Sequence, residues 1–329
     1  MVLAQLWTST PLRSQALALL EGIATVTVST IGESTESWYL QASTADIIMV
    51  RGSTFVTGEV MDRLGSRLRI IARAGIGVDR IDLDAATQRG ILVINTPDGP
   101  TESTAEHAIA LLLNLCKQVA VGDRILRAGR PFPALSEMTP GLETSGAVLG
   151  LIGLGRIGSR VAVIAHALGM RVLAYDPFIA SERAAALGVE LYSSLEALLP
   201  HAQVVSLHCP AIPETYHIIN ADTLKLLPAG SYLINVARGA LIDHDALFDA
   251  LRSGHLAGAG LDVFDPEPPA AHHPLFSLSN TICTPHIGSY TAAGLLRMQV
   301  MACEQIVSAL RGERPTNLVN PAVWGHQCS

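Results

Sequence analysis

Residues 147–176 read AVLGLIGLGRIGSRVAVIAHALGMRVLAYD, and this stretch decides the fold. An apolar run of strand length spans 147–152, helical spacing covers 156–168 and ends at Gly169, and a second strand spans 171–175. Gly153, Gly155 and Gly158 stand between them in G-x-G-x-x-G order, and Asp176 closes the second strand 18 residues beyond Gly158. The glycine pattern alone is weak. With strand, helix and acid in register, it predicts a dinucleotide loop. The first glycine allows a tight turn, the second admits a phosphate to backbone N–H groups, and the third lets the helix pack close to the strand. The helix N-terminus turns partial positive charge towards a pyrophosphate. Asp176 would accept hydrogen bonds from ribose hydroxyls and repel a 2′-phosphate, so the expected cofactor is NAD.

Further strands are predicted at 204–207, 231–235, 257–261 and 281–283, with an N-terminal set at 45–50, 68–72 and 91–95. A long amphipathic helix is expected over 103–117, capped by Thr101 or Ser103 with Glu102 in its first turn, and is read as the crossing between domains. A last helix over 292–310 returns the chain. The fold class is therefore α/β, with two Rossmann-like, doubly wound parallel-sheet domains. Residues 1–98 and 289–329 make one discontinuous domain, and 99–288 the dinucleotide domain.

Composition narrows the function classes. The chain has 329 residues, 49% of them hydrophobic and 16% charged, which suits two domains with large cores. Runs such as 108–113 fall short of the roughly 18 residues of a spanning helix. Pro11, Arg13 and Glu21 interrupt the N-terminus, so neither a membrane anchor nor a signal peptide is expected. The net charge of −7 is spread along the chain, which argues against a nucleic-acid surface. Cys116, Cys209, Cys283, Cys303 and Cys328 form no C-x-x-C pair, so reduced thiols in the cytoplasm are expected, with no metal site.

Three residues stand just beyond predicted strands, where ligands sit in open α/β sheets: Arg238 in NVARG, Glu267 in DVFDPEP and His286 in TPHIG. Oxidising a secondary alcohol by hydride loss needs a base for the hydroxyl proton, and histidine titrates near neutrality. A neighbouring carboxylate would orient the ring and stabilise the imidazolium, while an arginine would bind a substrate carboxylate. Each has a plainer alternative as a loop histidine, a solvated acid or an ion-pair partner. The set gains weight from the dinucleotide loop.

The segments LIGLGRIG, NVARGALID, DVFDPEPP and TPHIGS strongly resemble the D-2-hydroxyacid dehydrogenases, and residues 73–97 look most like the phosphoglycerate dehydrogenases of that family. The likeness covers about residues 45–320. It implies two Rossmann-like domains hinged around a cleft in a homodimer, the first being a flavodoxin-like substrate-binding domain. Arg238, Glu267 and His286 become the catalytic set. Arg156, Ile157, Asp176, Cys209, Pro210, Val236, Ala237, Asp262, His286 and Gly288 would touch the cofactor, with Asp262 on the nicotinamide carboxamide. Gly75 and its neighbours would hold the substrate carboxylate through backbone N–H groups, with Arg51, Gly52 and Ser53 lining the pocket and Arg51 and Arg73 near a second anion. Arg80 stands where relatives usually carry Asn, and Pro131-Phe132 where a tryptophan is common. The chain ends at Ser329, so the regulatory extension of longer relatives and serine feedback are not expected.

The implied activity is NAD-dependent interconversion of a small 2-hydroxy acid and its 2-oxo acid, 3-phosphoglycerate among the candidates. Hydroxypyruvate, glyoxylate or another 2-oxo acid is the alternative substrate. A different class is an NAD(H)-sensing, corepressor-like binding protein, which could keep every one of these residues.

Overall fold

The computed structural model describes residues 3–30, 38–52, 54–130 and 140–326. Ser53, Cys328 and the Pro131-Phe132 pair lie outside the described residues. The chain divides into two compact units, one of 1–100 with 290–329 and one of 101–289.

The first unit carries β1 (Ala4–Thr8), β2 (Ala24–Val28), β3 (Ile47–Val50), β4 (Ile70–Arg73) and β5 (Leu92–Asn95). They form a parallel sheet in the order β2-β1-β3-β4-β5. Alternation sorts the side chains between two apolar layers. Ile47, Met49, Ile70, Ala72, Leu92 and Ile94 face the helix Ala292–Leu310, which buries Met298, Ala302, Cys303 and Ile306. Trp7, Ile48, Val50, Ile71 and Val93 fill the opposite layer. Both faces are covered, so these strands read as unbroken apolar runs. The C-terminal segment is stitched to β5 by Asn320, whose Oδ1 accepts from the Val93 amide at 2.9 Å and whose Nδ2 donates to the Ile91 carbonyl at 2.8 Å.

The second unit carries β6 (Val148–Ile152), β7 (Arg171–Tyr175), β8 (Glu190–Tyr192), β9 (Val204–Leu207), β10 (Ser231–Asn235), β11 (Leu256–Leu261) and β12 (Thr281–Cys283). This sheet is also parallel, in the order β12-β11-β10-β9-β6-β7-β8. The winding direction reverses between β6 and β9, and that switch opens a crevice at the carboxyl ends of the strands.

Two expectations change. The helix expected over 103–117 as a crossing runs from Thr101 to Cys116, and it belongs wholly to the second unit. Its Ala105, Ala108, Leu112 and Leu115 pack in one core layer with Leu149, Leu151 and Ile234, an apolar face too wide for a bare connector. Strands β1, β2 and β8 went unpredicted. β2 and β8 are edge strands whose residues are largely exposed or half-buried, so they carry little apolar signal.

Candidate active site

The glycine loop leaves β6 and enters the helix Arg156–Ala167, with Gly155 at its N-cap. Gly153 has φ +95°, and a Cβ there would lie 2.8 Å from the Cys209 amide nitrogen, so the loop after β9 sits directly upon it. A Cβ on Gly158 would fall 2.2 Å from the Gly153 carbonyl. One on Gly155 meets nothing within 4 Å. Two glycines are thus required by protein packing, while the third faces open space at a helix N-terminus, a cradle that fits a pyrophosphate. Arg156 and Ile157 border this cradle in sequence, and Cys209, with Pro210 after it, adjoins the loop in space.

Asp176 follows β7. Its Oδ2 accepts from the Leu154 amide at 2.8 Å and its Oδ1 from the Phe178 amide at 2.9 Å. The carboxylate therefore braces the glycine loop, and each oxygen keeps a lone pair for a ribose hydroxyl. Beneath the same loop, burial pushes the His208 imidazole down to about 3. The ring stays neutral, with Nε2 2.9 Å from the Ser206 hydroxyl.

His286 and Glu267 meet, although they follow different strands. His286 Nδ1 lies 2.9 Å and 3.0 Å from the two Glu267 carboxylate oxygens. The imidazole is 44% exposed and the carboxylate 22%, so solvent reaches the ring beside a sheltered partner. His286 holds φ +54°, a left-handed conformation that a side-chain-bearing residue adopts only under constraint.

Asp262 supplies that constraint. It is 1% exposed. Its Oδ1 accepts from the Thr284 hydroxyl at 2.6 Å and the Ile287 amide at 2.8 Å, and its Oδ2 accepts from the Gly288 amide at 2.8 Å. Its backbone carbonyl accepts from the His286 amide at 2.8 Å. Burial pushes the carboxyl up, and donors from His107, Thr284 and the Ile287 amide more than reverse this, leaving it below its ordinary value. Sequence reading assigned Asp262 and Gly288 to the cofactor. In the structure Asp262 also clamps the His286 loop, and Gly288 closes that clamp.

Arg238 is displayed by a turn after β10 that buried Asn235 builds. Asn235 Nδ2 donates to the Arg238 carbonyl at 2.7 Å, and its Oδ1 accepts from the Ala237 amide at 3.0 Å. A Cβ on the next residue, Gly239, would lie 1.9 Å from the Phe264 carbonyl carbon. The Arg238 turn is thereby pressed against the backbone that leads to Glu267. Arg238 Nη1 donates to the Ala237 carbonyl at 2.6 Å. Val236 is buried and Ala237 half-buried. A cavity of about 450 Å³ borders Glu267 and His286, walled by Phe264, Pro268, Phe276, Leu278 and Cys283. Sequence reading missed this apolar wall, which is assembled from the loop after β11, the short helix Pro274–Ser277 with Leu278 after it, and the end of β12.

In the first unit, Arg51 and Gly52 follow β3 and Gly75 follows β4. The Arg51 guanidinium lies 5.1 Å from the centre of the Tyr290 ring, and that of Arg80 lies 4.7 Å from the centre of Phe55. The Gly75 amide donates to the Thr96 hydroxyl at 2.8 Å, so this N–H is engaged within the protein and does not itself point at an anion. Arg73 also turns inward, its Nε donating to the Gly77 carbonyl at 3.1 Å. Arg73 and Gly75 therefore shape their loop, and Arg51 is the arginine at a strand end with its charge over an exposed ring.

A reversing parallel sheet, a glycine cradle at a helix N-terminus and an acid ending β7 together describe a dinucleotide-binding fold, with a histidine–carboxylate pair at its strand ends. The comparisons specify the family. Residues 109–288 match the NAD binding domain of the D-isomer specific 2-hydroxyacid dehydrogenases, and the chain belongs to that family. It is 39% identical over 310 residues to a D-3-phosphoglycerate dehydrogenase of Methanocaldococcus jannaschii, covering 94% of this chain and 58% of that protein. The chain spans about half the length of the curated relatives it matches. Among solved structures, the TT0316 protein from Thermus thermophilus superposes with a TM-score of 0.85 at 39% identity, over 96% of this chain and 99% of that one. A glyoxylate reductase from Paecilomyes thermophila gives 0.84 at 28% identity, over 97% and 99%. Among the described residues no helix is long and apolar enough to cross a membrane.

Proposed function

We propose that the protein is an NAD-dependent dehydrogenase that interconverts a small 2-hydroxy acid and its 2-oxo acid. The observation that carries this reading is the His286–Glu267 pair, 2.9 Å apart, in the family's NAD binding domain. Bound NAD supplies the hydride acceptor. The residues of the chain then have two tasks, holding the acid and moving one proton. Glu267 accepts a hydrogen bond from the Nδ1–H, which stays on the ring, and leaves Nε2 free to take the hydroxyl proton as the alcohol is oxidised, or to return it in reduction. The carboxylate steadies the imidazolium that forms. Arg238 binds the substrate carboxylate and polarises the adjacent carbonyl. Asp176 favours NAD over NADP, since a 2′-phosphate would meet its charge.

The substrate we propose is 3-phosphoglycerate, with 3-phosphohydroxypyruvate as its oxidised partner. The curated relatives named for that activity support it, and so does Arg51, whose guanidinium suits a second anion. The first unit would then bind substrate through Arg51, Gly52, Ser53 and the Arg73–Gly75 loop. The likeness to a glyoxylate reductase favours a second reading, reduction of a smaller acid such as glyoxylate or hydroxypyruvate. We also propose a homodimer. The helix Val119–Arg127 buries none of its residues, and Val119 and Leu126 are 59% and 60% exposed. A cytoplasmic setting fits the free thiols of Cys116, Cys209, Cys283 and Cys303.

The test is NADH oxidation with a panel of phosphohydroxypyruvate, hydroxypyruvate, glyoxylate and pyruvate. Turnover of phosphohydroxypyruvate with the highest kcat/KM is expected. A protein that binds NADH yet turns over none of the panel would be a sensor, and the enzymatic reading would fall.

A further inference from the structure

The helix Thr101–Cys116 delivers one side chain to the underside of the loop that bears His286. His107 Nε2 lies 3.1 Å from the Thr284 hydroxyl and 3.3 Å from Asp262 Oδ1, and its side chain is 18% exposed. The helix is in direct contact with this loop. A Cβ on Gly288 would come within 3.5 Å of Thr104 Cγ2 and 3.7 Å of His107 Cδ2.

Valence sets the direction of these bonds. The Asp262 carboxylate accepts only, so the single hydroxyl proton of Thr284 goes to Oδ1 at 2.6 Å. The Thr284 oxygen is then left as an acceptor facing His107, whose Nε2 must carry a proton. His107 is thus the outermost donor of a chain that runs through Thr284 to Asp262, and from there to the amides of Ile287 and Gly288.

We infer that His107 is a positioning residue for the reaction: by donating to Thr284 and Asp262 it fixes the carboxylate that clamps residues 284–288, and so holds His286 in its left-handed conformation against Glu267. This rests on the acid–base role proposed above for His286. The physical case is one of constraint. A left-handed histidine persists only where its surroundings over-determine it. Here they do so through a buried carboxylate whose donors orient one another, the kind of network in which losing one member loosens the rest. Without His107 the Thr284 hydroxyl keeps its acceptor, Asp262, and loses the donor on its oxygen; with His107 in place both its proton and a lone pair are engaged.

The test uses the full chain with His107→Leu, which keeps apolar volume and removes the donor, and His107→Gln, whose amide nitrogen can still donate to Thr284. Thr284→Val cuts the same link from the other end and leaves the helix unaltered. Two quantities are read. One is kcat and KM for NADH-dependent reduction of phosphohydroxypyruvate or hydroxypyruvate, whichever the wild type reduces faster. The other is hydrogen–deuterium exchange of the Ile287 and Gly288 amides in the protein without cofactor. His107→Leu and Thr284→Val are expected to lower kcat about tenfold with KM for the 2-oxo acid little changed. Exchange at both amides should speed up about tenfold. His107→Gln should restore both to near wild type. Wild-type kcat and exchange in folded His107→Leu would overturn the inference, and so would a Gln variant no better than Leu. A wild type inactive on both acids removes the proposed activity instead, and the exchange measurement then still judges the link.

Discussion

The two units bring charged residues to their strand ends by different means. In residues 101–289 the ends are organised by buried polar side chains: Asp262 is 1% exposed, Asn235 fully buried, and both hold turns through several hydrogen bonds. In the first unit the charges lie over exposed rings, Arg51 over Tyr290 and Arg80 over Phe55, with the two rings 61% and 57% exposed. A buried carboxylate with four donors has one low-energy geometry. An exposed cation–π stack contributes about 0.5–1 kcal/mol and yields easily. Proton transfer needs tight placement, and the clamped unit holds the proposed acid–base pair, His286 and Glu267. The proposed choice among 2-oxo acids needs only a different charge, and the stacked unit holds Arg51.

The largest effect that would break this contrast is at His286. Replacing it with Ala is expected to lower kcat by about 10²–10⁴ while NADH affinity, measured by fluorescence titration, stays within a few-fold. A variant with wild-type kcat would leave the clamped unit without its acid–base role. Gly239→Ala comes next. Its Cβ would sit 1.9 Å from the Phe264 carbonyl carbon, so the Arg238 turn and the Glu267 loop must separate. A displacement near 1 Å is expected to lower kcat about 10²-fold. Unchanged kinetics in that variant would show that the two loops need not converge.

The same contrast explains what was legible in the sequence. Gly153 to Asp176 could be read because the strand, turn, helix and acid are local and each obeys its own periodicity. His286 and Glu267 could be singled out because each follows a strand, though their meeting at 2.9 Å was a fold-level fact. The duties of Asp262, Gly75 and Arg73 were not legible. Nothing local marks Asp262 as a clamp, because its donors lie 22 to 26 residues away. Gly75 loses its amide to Thr96 over a separation of 21 residues. His107 reads as one polar position on an apolar helix, and its partner Thr284 lies 177 residues further on. Long-range polar contacts leave no period in the chain, so only the folded arrangement reveals them.

A smaller effect would sharpen the role of the first unit. Arg51→Ala is expected to lower kcat/KM for phosphohydroxypyruvate by about 10- to 100-fold, the worth of a charge-assisted hydrogen bond, and to leave hydroxypyruvate nearly unaffected. Steady-state kinetics with both acids decides it. If both fall equally, Arg51 does not read the second anion.

The smallest effect is a pH dependence confined to one unit. Ten of the eleven histidines lie in residues 101–289, and only His326 lies outside them. Burial lowers His208, His244 and His273 from their ordinary values, His208 to about 3. A histidine ordinarily titrates near 6.5, so between pH 6.5 and 3 the unfolded chain binds a proton at His208 that the folded chain refuses. Its contribution is therefore complete above pH 6.5 and is lost progressively as the solution is acidified. From pH 6.5 to 5 the loss from His208 alone is about 2 kcal/mol, at 1.36 kcal/mol per pKa unit. Trp7, Trp38 and Trp324 all lie in the first unit, so tryptophan fluorescence follows that unit, while calorimetry follows both. Acidification should lower the calorimetric transition of the second unit more than the fluorescence transition of the first. His208→Asn, which cannot titrate, should recover most of the loss. An equal fall in both transitions, unchanged by His208→Asn, would mean that the neutral imidazole beneath the glycine loop does not govern the acid limit of the clamped unit.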